Sequence, residues 1–274
     1  MAILLENIAQ LLITMGGVLA FFTLLLLLLQ KLVIGFSQRY LGFKSIYPTA
    51  IIGVPLHEVS HALMAIVFRH NIRKINLFSP DAITGNLGSV ELTCPNNMYS
   101  IVGNFFIAMA PLLGGSIALF LINYLLFPEI NELLKPINFS GQTTATIQTS
   151  YLMLSSLFQY SFNDMAYTFL NFSFSIKHLL WLYLSCSVAL HMAPSKKDFE
   201  NSIVGLLAIT FIAAIFLILF PEITTQAAKS IKALSISLAR MLMFSFCLSL
   251  IAFIAIFIVA FFKDMFCSIR SIKC

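Results

Sequence analysis

Charged residues are scarce in this chain, and their scarcity excludes most classes of soluble protein. Asp, Glu, Lys and Arg make up 10% of the 274 residues, whereas they make up about 25% of an average globular domain. Hydrophobic residues make up 59% of the sequence, and its mean hydropathy is +0.95. Because apolar segments run through the whole length, residues 1–274 are expected to form a single domain embedded in a lipid bilayer.

Two further absences narrow the function. The five cysteines are scattered and never form C-x-x-C, which argues against a zinc knuckle, a thioredoxin-like motif and a disulfide framework. The net charge is +5, but no basic run with interleaved aromatic residues is present, and so no nucleic-acid partner is expected. The lipid bilayer is the expected partner, and nothing in the sequence sets the oligomeric state.

The apolar runs predict the fold class. A bilayer core of about 30 Å requires about 20 predominantly apolar residues in a helix. The chain is therefore expected to be an all-α polytopic membrane protein with about six transmembrane helices, at residues 11–34, 47–68, 101–127, 178–192, 203–220 and 241–262. Lys and Arg divide evenly, eight against eight, between the two sets of connecting segments. The positive-inside rule therefore gives no orientation.

Two of the connecting segments have patterns of their own. Residues 71–97 contain short β-favouring runs, KINLF and GSVEL, separated by Pro, Asp, Gly and Asn, which predicts a small β-hairpin. Open strand edges cannot face lipid, so this hairpin must lie at the interface or against protein. Residues 151–172 place apolar side chains at steps of three and four, which predicts an interfacial amphipathic helix. That helix is either a lid over a functional site or a passive connector.

The residues that carry chemistry lie in the middle of the second apolar run. His57, Glu58 and His61 belong to an H-E-x-x-H sequence. Residues four apart lie on one face of a helix, so both imidazoles can bind one metal ion. Glu58 then lies beside the metal as the general base that takes a proton from an activated water molecule. An ionisable residue at the centre of a span costs about 2.5–3.5 kcal/mol, so three of them together predict a compensating metal ion.

The sequence around this motif resembles the site-2 proteases, a family of intramembrane zinc metalloproteases. The segment VPLHEVSHALMAIVFRHNIRKINLF is similar to the metal-binding helix of that family and to the start of the β-rich hairpin that follows it. The later segment AMAPLLGG is similar to the family's A-G-P motif, with Ala110 where glycine is usual. The resemblance covers about residues 47–125 and one later stretch, and it implies a protease-like core at about 47–200. Asn104 is expected to hydrogen-bond across a helix interface of this core.

The resemblance also implies a third zinc ligand, an aspartate in a later helix. The segment LHMAPSKKDF has Pro194 at the matching position and Asp198 one residue nearer to it than in the family, while the family's Leu-Asp-Gly is absent. Asp198 is therefore the preferred third ligand, and His191 is the alternative. If Asp198 binds zinc, His191 is expected to bind the substrate backbone or the developing oxyanion. Asp164 and His178 are remoter candidates.

Together these features predict a zinc-dependent intramembrane endopeptidase that cleaves a transmembrane or membrane-proximal segment of another protein. Its Zn²⁺ would be bound by His57, His61 and Asp198, with Glu58 as the catalytic base. As a multi-pass protein it is expected in a bacterial inner membrane. Two alternatives stay open, a membrane metal transporter and a catalytically inactive scaffold with a metal site. Ala62 follows the motif, where zinc transporters that carry it usually have glutamate.

Overall fold

A computed structural model describes residues 17–134, 147–219 and 221–271 of the chain. These residues form a mostly helical structure with one two-stranded antiparallel sheet, which confirms the predicted class at that level. In chain order the elements are α1 (Gly17–Leu41), a 3₁₀ helix (Phe43–Ile46), α2 (Tyr47–Val67), β1 (Asn71–Asn76), β2 (Ser89–Thr93), α3 (Met98–Leu126), α4 (Pro128–Leu133), α5 (Ile147–Leu170), α6 (Ile176–His191), α7 (Lys196–Leu219) and α8 (Pro221–Ser271).

The prediction of six separate spans is not confirmed. Four segments of the described residues are long and apolar enough to cross a membrane: Ala20–Leu41, Phe43–Val67, Met98–Leu126 and Ile236–Met265. A fifth span results if α6 and the first part of α7, which are bent by 49° against each other, count as one broken helix. The predicted spans 178–192 and 203–220 thus belong to one bent pair, because α6 has 16 residues, too few for a bilayer core.

The predicted boundaries of the first span also need correction. Helix α1 continues to Leu41, beyond the predicted end at residue 34. Residues 11–16 of that predicted span lie outside the described residues. The polar residues that follow residue 34, among them Gln38 and Arg39, still have helical backbone, because helical propensity and not hydropathy decides where a helix ends.

Glycines allow the membrane helices to pack closely. A Cβ atom added at Gly53 of α2 would lie 2.3 Å from the carbonyl oxygen of Ser187 in α6. One added at Gly205 of α7 would lie 2.7 Å from the backbone nitrogen of Phe105 in α3. Such crossings through small residues are typical of membrane helices, where dispersion contacts replace the hydrophobic effect. They bring α2 against α6 and α3 against α7.

The predicted β-hairpin is present. Strands β1 and β2 pair with Asn71 opposite Thr93 and Asn76 opposite Ser89, and the pairing has one irregularity near its start. Both strands pack against α2. Packing against protein is one of the two placements expected for the hairpin.

Helix α5 covers most of the predicted amphipathic segment 151–172. Its apolar face packs on neighbouring helices: Met165 is buried, and the ring of Phe158 lies 5.7 Å from that of Phe22 in α1. The carboxylate of Asp164 accepts a hydrogen bond of 2.5 Å from Arg240 of α8, and both side chains are largely buried. Among the described side chains, helix α5 is therefore attached to α1 by aromatic contacts and to α8 by the ion pair between Asp164 and Arg240.

Candidate metal centre

The H-E-x-x-H segment lies in the middle of α2, where one helical turn brings its two imidazoles together. The Nε2 atoms of His57 and His61 are 3.1 Å apart, as expected for residues four apart on a helix. The helix forms here because the sequence on both sides of the motif is apolar, so that backbone polar groups are best satisfied within the helix. Pro55 is an exception, because it leaves the Ile51 carbonyl without its helical N–H partner. Pro48 stands in the first turn, where a missing N–H costs nothing.

The end of α6 orients the first imidazole. Helix α6 ends at His191, and carbonyl groups in the last turn of a helix lack an N–H partner within it. The carbonyl oxygen of His191 accepts a hydrogen bond of 2.7 Å from Nδ1 of His57. Because a carbonyl oxygen can only accept, the proton of the neutral His57 ring is on Nδ1, and Nε2 carries the lone pair.

A proline in α3 makes the corresponding acceptor available to the second imidazole. In a regular helix the carbonyl of Ile107 would bond the N–H of residue 111, but that residue is Pro111, which has no N–H. The carbonyl oxygen of Ile107 instead accepts a hydrogen bond of 2.8 Å from Nδ1 of His61. The lone pair of His61 is therefore also on Nε2.

Two lone pairs thus face each other across 3.1 Å. Both Nδ1 protons of His57 and His61 are held by backbone carbonyls, so neither neutral ring has a proton to donate from Nε2. The arrangement is favourable only with a proton or a metal cation between the rings. A backbone carbonyl on the far nitrogen is also the usual outer partner of a histidine that binds a metal.

Asp198 brings a carboxylate to the same point from the first turn of α7. Its Oδ2 lies 3.5 Å from Nε2 of His61 and 4.0 Å from Nε2 of His57. Capping of α7 holds it there, because the N–H of Ser195 donates to Oδ2 at 2.6 Å and the N–H of Asp198 donates to the Ser195 hydroxyl at 3.3 Å. This reciprocal pair is a capping box with aspartate in the place of the usual glutamate. Asp198 therefore also stabilises the start of α7.

These three residues fit a divalent cation that accepts nitrogen and oxygen ligands. One ligand atom from each of His57, His61 and Asp198 lies within 4.8 Å of the others. Atoms bound tetrahedrally at about 2.0–2.2 Å from a metal would be about 3.4 Å apart. The observed separations of 3.1, 3.5 and 4.0 Å bracket that value.

Glu58 lies beside this group, in the wall of a cleft of about 700 Å³. Strand β2 and the start of α7 form other parts of the same wall. Gly88 allows the hairpin to approach α2, because a Cβ atom there would lie 2.8 Å from Val54 and 3.0 Å from the side chain of Glu58. The hairpin is therefore seated directly against the residue that the sequence predicts as the general base.

The side chain of His191 does not line this cleft. Its Nε2 lies 3.3 Å from the hydroxyl of Thr49, and the imidazole is buried where α6 crosses Gly53 of α2. This position disfavours the predicted contact of His191 with substrate. The geometry supports a positioning role instead, in which its backbone carbonyl orients His57.

The remoter ligand candidates lie elsewhere. Asp164 pairs with Arg240, and Nδ1 of His178 lies 2.7 Å from the hydroxyl of Ser175 at the start of α6. Because a helix rises 1.5 Å per residue, His178 is about 20 Å from the end of α6. None of the described residues of α5 lines the cleft, so of the two alternatives for this segment, a lid or a passive connector, the lid gains no support.

His70, which no motif in the sequence indicates as a site residue, also lines the cleft. Its Nε2 lies 2.9 Å from Oδ1 of Asn104 in α3. Asn104 therefore bonds to the turn that follows α2, whereas a bond across a helix interface was expected. His70 follows Arg69, whose positive φ of 58° marks the turn after α2. Only that turn and the start of β1 bring His70 back to the cleft, and no spacing in the sequence relates it to the motif.

The chain matches no family model, no curated protein and no solved structure among those compared with it. Its class therefore rests on the fold and the site. It is a helical membrane protein in which His57, His61, Asp198 and Glu58 meet at one cleft beside a β-hairpin.

Proposed function

We propose that the chain is a zinc-dependent endopeptidase that acts within or next to the membrane, as its resemblance to the site-2 proteases implies. The observation that carries this proposal is the convergence of His57, His61 and Asp198, with Glu58 in the wall of the same cleft. Catalytic zinc sites use three protein ligands, whereas structural sites use four. Among the described residues, no fourth His, Cys, Asp or Glu joins the group.

In this proposal the residues of the site have separate chemical roles. A zinc ion bound here would supply Lewis-acid activation of water near neutral pH. The carbonyls of His191 and Ile107 hold the imidazoles in the ligating orientation. The carboxylate of Glu58 takes a proton from the attacking water and passes it to the leaving amine nitrogen, a transfer that contributes about 10²–10⁴-fold to the rate.

The substrate that we infer is an extended segment of another membrane protein. A helix engages its carbonyl groups in internal hydrogen bonds, so the bond to be cleaved must be presented as a strand. Strand β2 lines the cleft, and within the described residues the sheet has two strands, which leaves each strand one unpaired edge. A substrate strand can pair with such an edge by β-augmentation. We expect enzyme and substrate in a bacterial inner membrane.

Metal analysis and hydrolysis by matched variants test the proposal. The wild-type protein, purified in detergent, is expected to contain about one zinc per chain, and His57→Ala/His61→Ala none. His178→Ala is the control, because its imidazole lies at the other end of α6. Glu58→Gln is expected to keep zinc and to lose about 10²–10⁴-fold of the hydrolysis of membrane-anchored peptides.

Three results would contradict parts of this proposal. Equal zinc contents in the wild type and the double histidine variant would remove the metal centre. Full hydrolysis by Glu58→Gln would remove its role as base. Zinc transfer across vesicle membranes without any peptide hydrolysis would favour a metal transporter.

A further inference from the structure

A second cavity, of about 250 Å³, lies at the other end of α3. It is lined by residues of α4, of the end of α5, and of the start of α6. Along α3 it is about 28 Å from Ile107, at 1.5 Å per residue, which is close to the thickness of a bilayer core. Its volume is below the range of about 300–1,000 Å³ typical of drug-sized ligands. The cavity therefore suits a small polar group at the membrane interface.

The walls of this cavity are mainly aromatic. Phe127, Tyr167, Phe172 and Trp181 line it, and the rings of Phe127 and Trp181 are 5.9 Å apart in an edge-to-face arrangement. Aromatic faces attract cations, most strongly where water is excluded. Lys177 illustrates this property, because its Nζ lies 4.6 Å from the centroid of the Phe127 ring.

The polar groups of the cavity favour a cation over an anion. Among the residues that the structure describes, Glu129 is the one carboxylate that lines the cavity, His178 is its one imidazole, and no Lys or Arg lines it. Asn171 donates one Nδ2 hydrogen to the carbonyl of Tyr167, which leaves the acceptor Oδ1 and one N–H on its side chain. A primary ammonium group needs such acceptors together with aromatic faces.

We propose that this cavity binds the primary ammonium of a phosphatidylethanolamine headgroup. The apolar span Met98–Leu126 ends at its edge, which places the cavity at the depth of lipid headgroups. The exposed Lys177 at its border, which covers the Phe127 ring, complements the lipid phosphate, while Glu129 and the rings of Tyr167, Phe172 and Trp181 receive the ammonium. This site is independent of the metal centre and of any hydrolytic activity.

Binding can be followed by intrinsic fluorescence, because Trp181 lines the cavity and is the one tryptophan of the chain. Detergent-purified full-length protein is titrated with short-chain phosphatidylethanolamine, and tryptophan emission is recorded. A saturable change is expected, with phosphatidylglycerol binding at least tenfold more weakly. Glu129→Gln is expected to weaken phosphatidylethanolamine binding about tenfold. Glu200→Gln removes an exposed carboxylate of α7 outside the cavity and is expected to bind as the wild type does.

Two further arms keep the test decisive. Tyr167 is 54% exposed, so Tyr167→Leu should fold even if Glu129→Gln does not, and it is expected to weaken binding while Tyr167→Phe retains it. Free ethanolamine at matched concentration is expected to leave the emission unchanged. The proposal is overturned if phosphatidylethanolamine and phosphatidylglycerol bind equally, if folded Glu129→Gln or Tyr167→Leu binds as the wild type does, or if free ethanolamine binds as tightly as the lipid.

Discussion

Nδ1 of His61 donates a hydrogen bond of 2.8 Å to the carbonyl oxygen of Ile107. In a regular helix this carbonyl would accept the N–H of residue 111. Pro111 leaves that carbonyl without its helical partner, at a cost to helix stability of about 3 kcal/mol. The carbonyl of His191 is available to His57 for a different reason, the end of α6. Both imidazoles of the candidate metal centre are thus oriented by backbone carbonyls that lack a helical N–H partner, one beside a proline in α3 and one at the end of α6.

Replacing this proline tests whether the interruption matters. Pro111→Ala supplies an N–H that can bond the Ile107 carbonyl and compete with His61. Loss of an outer hydrogen-bond partner typically weakens metal binding about 10–100-fold, so we expect the zinc affinity to fall by that factor. The measurement is a competition titration against a chelator. The metal-free variant should be at least as stable to heat as the wild type, because alanine suits a helix interior better than proline does.

Pro128→Ala is the matched control for this experiment. Pro128 stands in the first turn of α4, where its missing N–H has no helical acceptor to release. We expect its zinc affinity to equal that of the wild type. If Pro111→Ala also bound zinc as tightly as the wild type, the released carbonyl would be irrelevant to the metal centre.

The crossing of α2 and α6 gives a second prediction. In Gly53→Ala the new methyl group would lie 2.3 Å from the Ser187 carbonyl oxygen and 2.6 Å from the His191 ring. Overpacking of this kind costs about 1–3 kcal/mol, and moving α6 also moves the carbonyl that holds His57. We expect a lower unfolding temperature and weaker zinc binding. The control Gly35→Ala, in α1, has open space within 4 Å and should gain about 0.5–1 kcal/mol in stability.

The parts of the site that were predictable from the sequence are the local ones. The spacing of His57 and His61 is fixed by helix geometry, and Ser195 and Asp198 form a capping box that short-range spacing can reveal. The β-hairpin was also predictable, because its strands are close in sequence and separated by turn residues.

The remaining features depend on contacts between distant segments. His57 and His191 are 134 positions apart, and nothing in the sequence near His191 indicates that its backbone, and not its imidazole, serves the site. Six separate spans are not confirmed among the described residues, because hydropathy cannot show that α6 is too short to cross alone and bends into α7. The periodicity of segment 151–172 predicts a helix with one apolar face. Periodicity alone does not show which helices this face packs against.

The ion pair between Asp164 and Arg240 gives a third prediction, about stability alone. Removing one partner of a buried ion pair costs about 3–5 kcal/mol, because the other charge stays buried. We therefore expect Asp164→Asn to unfold at a clearly lower temperature in detergent. Asp164→Leu/Arg240→Met should recover most of the loss, since both charges of this pair are removed together. Zinc content should be unchanged in both variants, and a loss of zinc would show that α5 and α8 influence the metal centre.

Asp198 has two roles in this structure, and the last prediction separates them. Its Oδ2 accepts the N–H of Ser195, which caps α7, and it also faces Nε2 of His61. Asparagine keeps an acceptor for the cap but loses the charge. We therefore expect Asp198→Asn to fold with the heat stability of metal-free wild type while its zinc affinity falls at least 100-fold, beyond the effect of losing an outer partner. Asp198→Ala should in addition lose about 1 kcal/mol of stability with the cap.

Calorimetry of the metal-free proteins and chelator competition measure the two effects independently. The control Asp81→Asn alters a partly exposed residue in the loop between β1 and β2, outside the cleft, and should leave zinc affinity unchanged. Wild-type zinc affinity in Asp198→Asn would mean that this carboxylate is only a helix cap and that the third ligand is another group.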